Sequence, residues 1–347
     1  MENNVDKQYL KFLQYILDTG VVKSDRTGTG TISVFDYTMK FDMSEGFPLL
    51  TSKKMYVRGI FQELIWFLKG DTNIKYLVDN DVHIWNGDAI KNYEKHNGEI
   101  NWGPFVTKEE AFVDMIKNDR KFAEKWGELG PVYGKQWRNW SISSEYVDGV
   151  SYSKDQNIDQ IANLIKDLKT NPDSRRLMVS AWNVGELNQM VLPPCHYGFQ
   201  CYTQVMTTDE RVKYFCDSLS KHISYGEDFT DKKLNELNIP KRKLSLKWTQ
   251  RSCDVPLGIP YNIASYGLLL HLLAREVNMI PNELIFSGGD CHIYLNQIDG
   301  VKEQLKNKTF SLSKIKLSND SIDNLKYEDI QIVNYKSSPT VKFPLSN

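Results

Sequence analysis

The chain has 347 residues, with 43 Lys and Arg against 44 Asp and Glu, so its formal net charge of −1 offers no basic excess for non-specific nucleic-acid binding. Apolar residues at 41% and charged residues at 25% match ordinary globular composition and exclude disordered and fibrous classes. Five cysteines (Cys195, Cys201, Cys216, Cys253, Cys291) form an odd set without C-x-x-C spacing, which argues against a disulfide framework or a zinc ribbon and for a reducing cytosol.

The N-terminus MENNVDKQYL is polar and reads as no signal peptide. Residues 7–19 carry Leu10, Leu13, Ile16 and Leu17 at helical spacing. Residues 31–41 alternate like a strand, which Phe47-Pro48 closes off, and Gly59 to Leu68 reads as a nearly all-apolar helix. Residues 97–128 are polar with a helical middle, and residues 141–157 (SISSEYVDGVSYSKDQN) read as a loop. Ile158 to Leu168 is an amphipathic helix that Asn171-Pro172 stops. Leu177 to Trp182, Phe199 to Val205 and Leu244 to Thr249 read as buried strands, with the polar stretch 207–243 inserted on a loop. Ile263 to Val277 is a helix and Leu284 to Ser287 a strand. The charge-free stretch Val255 to Ala274 contains prolines, Asn262 and His271, and reads as a loop entering a buried helix rather than a membrane span. Irregular alternation of strands and helices, without repeats or low-complexity tracts, favours one mixed α/β or α+β domain.

Several familiar patterns fail. Gly28-Thr29-Gly30 lacks the third glycine of a dinucleotide fingerprint, and Gly130 to Lys135 is one residue short of a Walker loop. There is no H-E-x-x-H and no G-x-S-x-G. Arginines are more informative: Arg26 sits in a glycine-rich turn, Arg175 and Arg176 lie beside another, and Arg251 ends a strand next to Gln250 and Ser252. Guanidinium forks with flanking hydroxyls suit phosphate oxygens; each alone reads first as a solvated turn charge, and the three together point to a phosphate pocket. Cys195 follows Pro193-Pro194, which remove ladder donors and fix the approach. Nearby arginines could lower its pKa and make it a nucleophile; alone it also reads as a buried structural thiol. His196, adjacent on extended chain, points to the opposite face and is no candidate base.

Glu63 falls at the edge of the apolar arc of its helix, where desolvation would raise its pKa and suit proton relay, unless it reaches water or a basic partner. Asn262 directly precedes the helix expected from Ile263; it reads either as an N-cap or as an amide facing a ligand edge. His292 and Tyr294 alternate on an extended run and face one side, as ligand contacts or as a packed pair.

Taken in order, DRTGTGT (25–31), FPLLTSKK (47–54), QELIWFLKGDTN (62–73), IW (84–85), GPVYGKQWR (130–138), DSRR (173–176), LPPCH (192–196), QRSCD (250–254), LGIPYNIASY (257–266) and GGDCHIY (288–294) closely resemble thymidylate synthase over nearly the whole chain. The resemblance implies an α+β fold over residues 1–347 as one catalytic domain. It further implies a large twisted mixed β-sheet packed by helices, two sheets meeting in a homodimer, and a loop insertion at about 207–243.

It implies conversion of dUMP and 5,10-methylenetetrahydrofolate to dTMP and dihydrofolate, with no metal, no nicotinamide, no membrane and no nucleic-acid partner. Cys195 would add to uracil C6, turning C5 into a nucleophile. Asn262 would bind N3–H and O4, Glu63 would relay protons, and Tyr133 would assist removal of the C5 proton. Arg26, Gln250, Arg251 and Ser252 would hold the nucleotide, joined by Arg175 and Arg176 of the other subunit, with His292 and Tyr294 at the 3′-hydroxyl. Asp254 would hold the pterin; Ile84, Trp85, Leu192, Gly258 and Tyr261 would line the folate slot, and Lys53 would meet its glutamate tail.

Three features depart from the family pattern: the 207–243 insertion, Gln297 where histidine is usual after Asn296, and a chain end, Leu345-Ser346-Asn347, that is polar where small apolar residues are usual. A tail that closes poorly would let water capture the C5 methylene, as in a related class that makes 5-hydroxymethyl-dUMP; Trp85 does not decide between them. The expected product is dTMP. A non-catalytic binding role is disfavoured because every catalytic position is filled.

Overall fold

The computed structural model describes residues 3–98, 106–147, 150–219 and 230–346. The strands are β1 (Val21–Lys23), β2 (Thr31–Asp42), β3 (Trp140–Val147), β4 (Val150–Ile158), β5 (Met178–Ser180), β6 (His196–Val205), β7 (Arg242–Asp254), β8 (Ile280–Tyr294), β9 (Lys314–Leu317) and β10 (Ile330–Val333). The helices are α1 (Asn4–Thr19), α2 (Val57–Leu68), α3 (Lys75–Asp79), α4 (Asn86–Asn97), α5 (Lys108–Asn118), α6 (Arg120–Trp126), α7 (Tyr133–Arg138), α8 (Gln160–Thr170), α9 (Thr208–Leu219), α10 (Asp231–Glu236), α11 (Gly258–Glu276) and α12 (Ile298–Gln304).

Six strands form one sheet in the order β1-β2-β8-β7-β6-β5. Its pairs are antiparallel except β7 with β8, which run parallel. Parallel neighbours need a crossover, and α11 supplies it. Its Leu268, Leu269, Leu270, Leu272 and Leu273 are wholly buried, each worth roughly 1.5–3 kcal/mol of apolar burial. Among the described residues no helix is long and apolar enough to cross a membrane. The charge-free stretch is therefore a core helix.

The other face of the sheet is bare at one edge. Met178 (59% exposed), Gln200, Tyr202 (64%) and Lys247 point outward there, while Val179, Phe199 and Cys201 point into the core. Strand alternation explains the division.

Among the described residues the expected elements are present, with several differences; parts of the expected segments 97–128 and 207–243 lie outside the described residues. The stretch 141–157, expected as a loop, holds two paired strands on either side of residues 148–149: β3 pairs β4 from Trp140↔Ile158 to Val147↔Val150. A ladder is held by backbone hydrogen bonds, so a serine-rich polar sequence can form one without an apolar face. The strand expected over Leu284 to Ser287 runs from Ile280 to Tyr294. Gly288 and Gly289 lie within this strand, where they serve packing. A side chain at Gly288 would meet the Phe286 ring at 2.4 Å and Cys291 Sγ at 2.6 Å, and one at Gly289 would meet the Arg251 carbonyl at 3.0 Å. Within 207–243, α9 and α10 are helices rather than plain loop. The nearly buried Arg211 joins them by donating to Asp231 Oδ1, Asn235 Oδ1 and the carbonyls of Ile239 and Pro240.

Candidate active site

The topology gathers strand ends at one place. β7 and β8 end side by side, with Ser252 opposite Asp290 and Asp254 opposite His292. β6 is antiparallel to β7, so its start (His196↔Gln250) lies at the same end, as does the start of β2 (Thr31↔Tyr294). Carboxyl ends of parallel strands are the usual mouth of a ligand crevice in such sheets. Here they border a cleft of about 600 Å³. Of the residues singled out from sequence, it is lined by Arg26, Ile84, Trp85, Tyr133, Leu192, Cys195, Gln250, Arg251, Ser252, Asp254, Gly258, Asn262, His292 and Tyr294.

Cys195 is half-buried at the base of β6. Its amide donates to Tyr133 Oη at 2.8 Å and its carbonyl accepts from the Arg251 amide at 2.9 Å. The Arg251 guanidinium donates from Nε to the Pro194 carbonyl and from Nη2 to the Pro193 carbonyl, both at 2.9 Å. The two prolines thus leave carbonyls that Arg251 collects, which fixes the cysteine loop against β7. Arg251 and Arg26 both favour the thiolate, yet burial outweighs them and raises the Cys195 pKa. The expectation of a thiol lowered by arginines therefore reverses, because removal from water penalises the anion more than two cationic neighbours compensate. His196 is buried, stacks on Tyr133 with centroids 4.2 Å apart, lies 2.9 Å from Tyr266 Oη, and is pushed down to about 3 by desolvation. It is therefore neutral, and it borders the same cleft as the cysteine with its ring engaged by Tyr133 and Tyr266.

Asn262 lies inside α11 rather than before it, since the helix begins at Gly258, so it is no N-cap. Its Nδ2 donates to Gln250 Oε1 at 2.9 Å, while Gln250 Nε2 donates to the Ser252 carbonyl at 2.9 Å. A buried glutamine thus fixes which way the asparagine amide faces.

Glu63, 8% exposed on α2, accepts from Trp85 Nε1 at 2.8 Å. Desolvation pushes its pKa up to about 7, against the lowering effect of that hydrogen bond. Asp254 accepts from the Leu257 amide at 3.1 Å and from Gln297 Nε2 at 3.2 Å; burial raises its pKa above the ordinary carboxylate value. His292 Nδ1 donates to Asp290 Oδ1 at 3.0 Å and its ring meets Tyr294 edge-on at 5.1 Å. Arg26 is presented by a turn that Asp25 ties together: Oδ1 accepts from the Gly30 amide at 2.6 Å and Oδ2 from the Thr27 amide at 2.7 Å. Gly28 and Gly30 take φ of 75° and 81°, where glycine is favoured.

A thiol, a fixed amide, two arginines and a protonatable carboxyl around one cleft describe a site for covalent chemistry on an anionic ligand. The family model described as thymidylate synthase matches residues 7–347. The chain belongs to the thymidylate synthase family. It is 42% identical over 342 residues to a thymidylate synthase of Coxiella burnetii, covering 98% of this chain and 99% of that protein. It is 43% identical over 341 residues to the thymidylate synthase of Mycoplasma mobile, covering 97% and 98%. It is 43% identical over 332 residues to that of Mesoplasma florum, covering 95% and 96%.

Some residues assigned by likeness to thymidylate synthases are not on the cleft wall. Lys53 is buried, donates to the Pro256 carbonyl, sits 4.5 Å over the Phe343 ring, and is lowered to about 7 by desolvation. Tyr261 is half-buried on α11 outside the lining. Glu63 stands behind Trp85. Arg175 and Arg176 are exposed at the turn before β5 and do not reach the cleft of their own chain. Sequence reasoning also missed Asp88 and Asp290, which line the cleft together with Leu345 and Ser346 of the tail already singled out for closure. Asp88 lies on the first turn of α4, three residues after Trp85, and that spacing was the available signal.

Proposed function

We propose that this cleft binds dUMP and 5,10-methylenetetrahydrofolate and converts them to dTMP and dihydrofolate, with Cys195 as the nucleophile. The observation that carries the reading is the placement of Cys195 in one cleft with Arg26, Arg251 and the Gln250-oriented Asn262. The phosphate would sit on Arg26, Arg251 and Ser252, and the uracil edge on Asn262. Cys195, as thiolate, adds to C6, and the electron pair moves to C5 and O4. The raised thiol pKa supports addition coupled to nucleotide binding, with the proton leaving as the ring is seated. Glu63, poised near neutrality, suits proton exchange with O4 through water. Tyr133, whose Oη already fixes the Cys195 backbone, would assist removal of the C5 proton. C5 takes the methylene from the folate, and the folate then gives up hydride to make the methyl group as the thiolate departs. Asp254, Ile84, Trp85, Leu192 and Gly258 would form the pterin slot, and His292 with Tyr294 the sugar contact.

The bare sheet edge around Met178 and Tyr202, with Arg175 and Arg176 exposed beside it, supports a homodimer in which these arginines complete the other subunit's phosphate site.

The test is incubation with 5-fluoro-dUMP and methylenetetrahydrofolate, since fluorine cannot leave as the C5 proton does. A ternary covalent adduct on the peptide holding Cys195 is expected. An adduct on another cysteine, or none with protein that turns over dUMP, would overturn the assignment.

A further inference from the structure

The turn following β8 touches the chain's last residues. Gln297 is fully buried, with 0% exposure, and all of its amide is engaged. Oε1 accepts from the Tyr294 amide at 3.2 Å. Nε2 donates both to Asp254 Oδ2 at 3.2 Å and to the Pro344 carbonyl at 3.1 Å. Next to it, Asn296 Nδ2 donates to Ser346 Oγ at 3.2 Å. Phe343 packs against Gly300, where a Cβ would meet its ring at 2.8 Å, and under the Lys53 ammonium. Leu345 and Ser346 then form part of the cleft wall.

From these contacts we infer that Gln297 is a positioning residue that couples docking of the C-terminal segment 343–346 to the orientation of Asp254. One NH₂ group serves two acceptors, one on the cleft floor and one on the closing segment. With the segment docked, both hydrogens are used and the amide plane is fixed, so Asp254 Oδ2 keeps its donor and Oδ1 stays with the Leu257 amide. With the segment away, the amide loses one of its two acceptors, and only the Tyr294 amide and Asp254 Oδ2 remain to hold its plane. A buried donor left without an acceptor costs free energy, so folate held on Asp254 and a docked segment favour one another. The inference rests on the proposed role of Asp254 in holding the pterin.

The test compares Gln297→Met, which keeps the volume and removes every hydrogen bond, with Gln297→Glu, which keeps the acceptor for the Tyr294 amide and removes both donors. Losing a hydrogen bond to a charged group should raise the KM for methylenetetrahydrofolate about tenfold or more. The KM for dUMP, which also reports a folded site, should move less than about twofold on the same scale. Part of the product should carry a 5-hydroxymethyl group, with the folate left unoxidised. Ending the chain at Phe343 in the Gln297→Met background should add little to the rise in folate KM, because on that quantity the two changes remove one coupling. Multiplicative losses, or wild-type folate KM and product in both variants, would overturn the coupling. Asp254→Asn separates the two readings. If it raises the folate KM while both Gln297 variants are silent, the coupling fails and the pterin role stands. If it is itself silent, the pterin role fails and the coupling to it falls with it.

Discussion

Asn262 and Gln250 face each other across 2.9 Å, the asparagine donating and the glutamine accepting. Because Gln250 also donates to the Ser252 carbonyl, its oxygen cannot be exchanged for its nitrogen without losing that bond. The arrangement leaves Asn262 Oδ1 and one N–H free for a ring edge that offers a donor beside an acceptor, as uracil does. Cytosine offers the opposite at its exocyclic position.

Asn262→Asp should therefore weaken the preference for dUMP over dCMP. A carboxylate facing Gln250 Oε1 forces the glutamine to turn, and a carboxyl accepts from the cytosine amino group. A site built on buried polar pairs discriminates strongly, so the ratio of kcat/KM values should fall by on the order of 100-fold or more. Competition assays with both nucleotides measure it; an unchanged ratio would return Asn262 to a purely structural role.

Glu63 gives a pH dependence with a definite sign. Folded, its carboxyl titrates near about 7 rather than 4.5 because it is desolvated. The native state thus holds the proton more tightly than the unfolded chain. The stabilising contribution is complete below about 4.5 and is lost as pH rises through the window to about 7. At roughly 1.4 kcal/mol per pH unit, the wild-type protein should lose a few kcal/mol relative to Glu63→Gln between pH 5 and pH 8. Denaturant unfolding of both proteins at the two pH values measures the difference. The same variant should lower kcat by about 100-fold or more, since it removes the group that exchanges protons. Equal stability differences at both pH values would refute the buried carboxyl.

Much of this site was legible before the fold was known, for identifiable reasons. Cys195, Arg251 and Asn262 stand in short motifs whose residue types carry their chemistry, and α2 announces itself by a nearly all-apolar run. What was hidden depended on partners distant in sequence. The paired serines of β3 and β4 look like loop until the two strands are laid side by side. The need for glycine at 288 and 289 shows only once Phe286, Cys291 and Arg251 are seen to occupy the space where side chains would go. Arg251 reads as a phosphate ligand, yet its guanidinium already holds the two proline carbonyls. The burial that raises the Cys195 thiol belongs to the whole cleft and to no single neighbour.

Arg175 and Arg176 are exposed in their own chain, so their role should be separable by mixing subunits. A chain carrying Arg176→Ala and a chain carrying Cys195→Ala should each be inactive. Refolded together, they form heterodimers in which one site has both an intact Cys195 and the other chain's intact Arg176. With random pairing, half the dimers are mixed and each has one good site, so about a quarter of wild-type activity should return. Mixed dimers that assemble but stay inactive would remove Arg176 from the phosphate site.

Removing residues 345–347 should impair the chemical step far more than nucleotide binding. The nucleotide contacts proposed here, Arg26, Arg251, Asn262 and His292, lie on the sheet ends and α11, none of them in the tail. Leu345 and Ser346 contribute only one part of the cleft wall, and Ser346 is tied down through Asn296. Phe343 and Pro344 would remain docked on Lys53, Gly300 and Gln297, so the shortened chain should still fold and bind dUMP with affinity within a few-fold of wild type. What the cut removes is cover. The methylene on C5 must wait for hydride, and water is the competing nucleophile once the wall is open. The intact chain should therefore yield dTMP with an equal amount of dihydrofolate. The shortened chain should turn over at least ~10-fold more slowly and divert a share of the nucleotide to 5-hydroxymethyl-dUMP, with the folate recovered as tetrahydrofolate. Nucleotide mass and folate oxidation state, read from one reaction mixture, decide it. Dihydrofolate still equal to nucleotide product after the cut would mean that Leu345 and Ser346 do not keep water out.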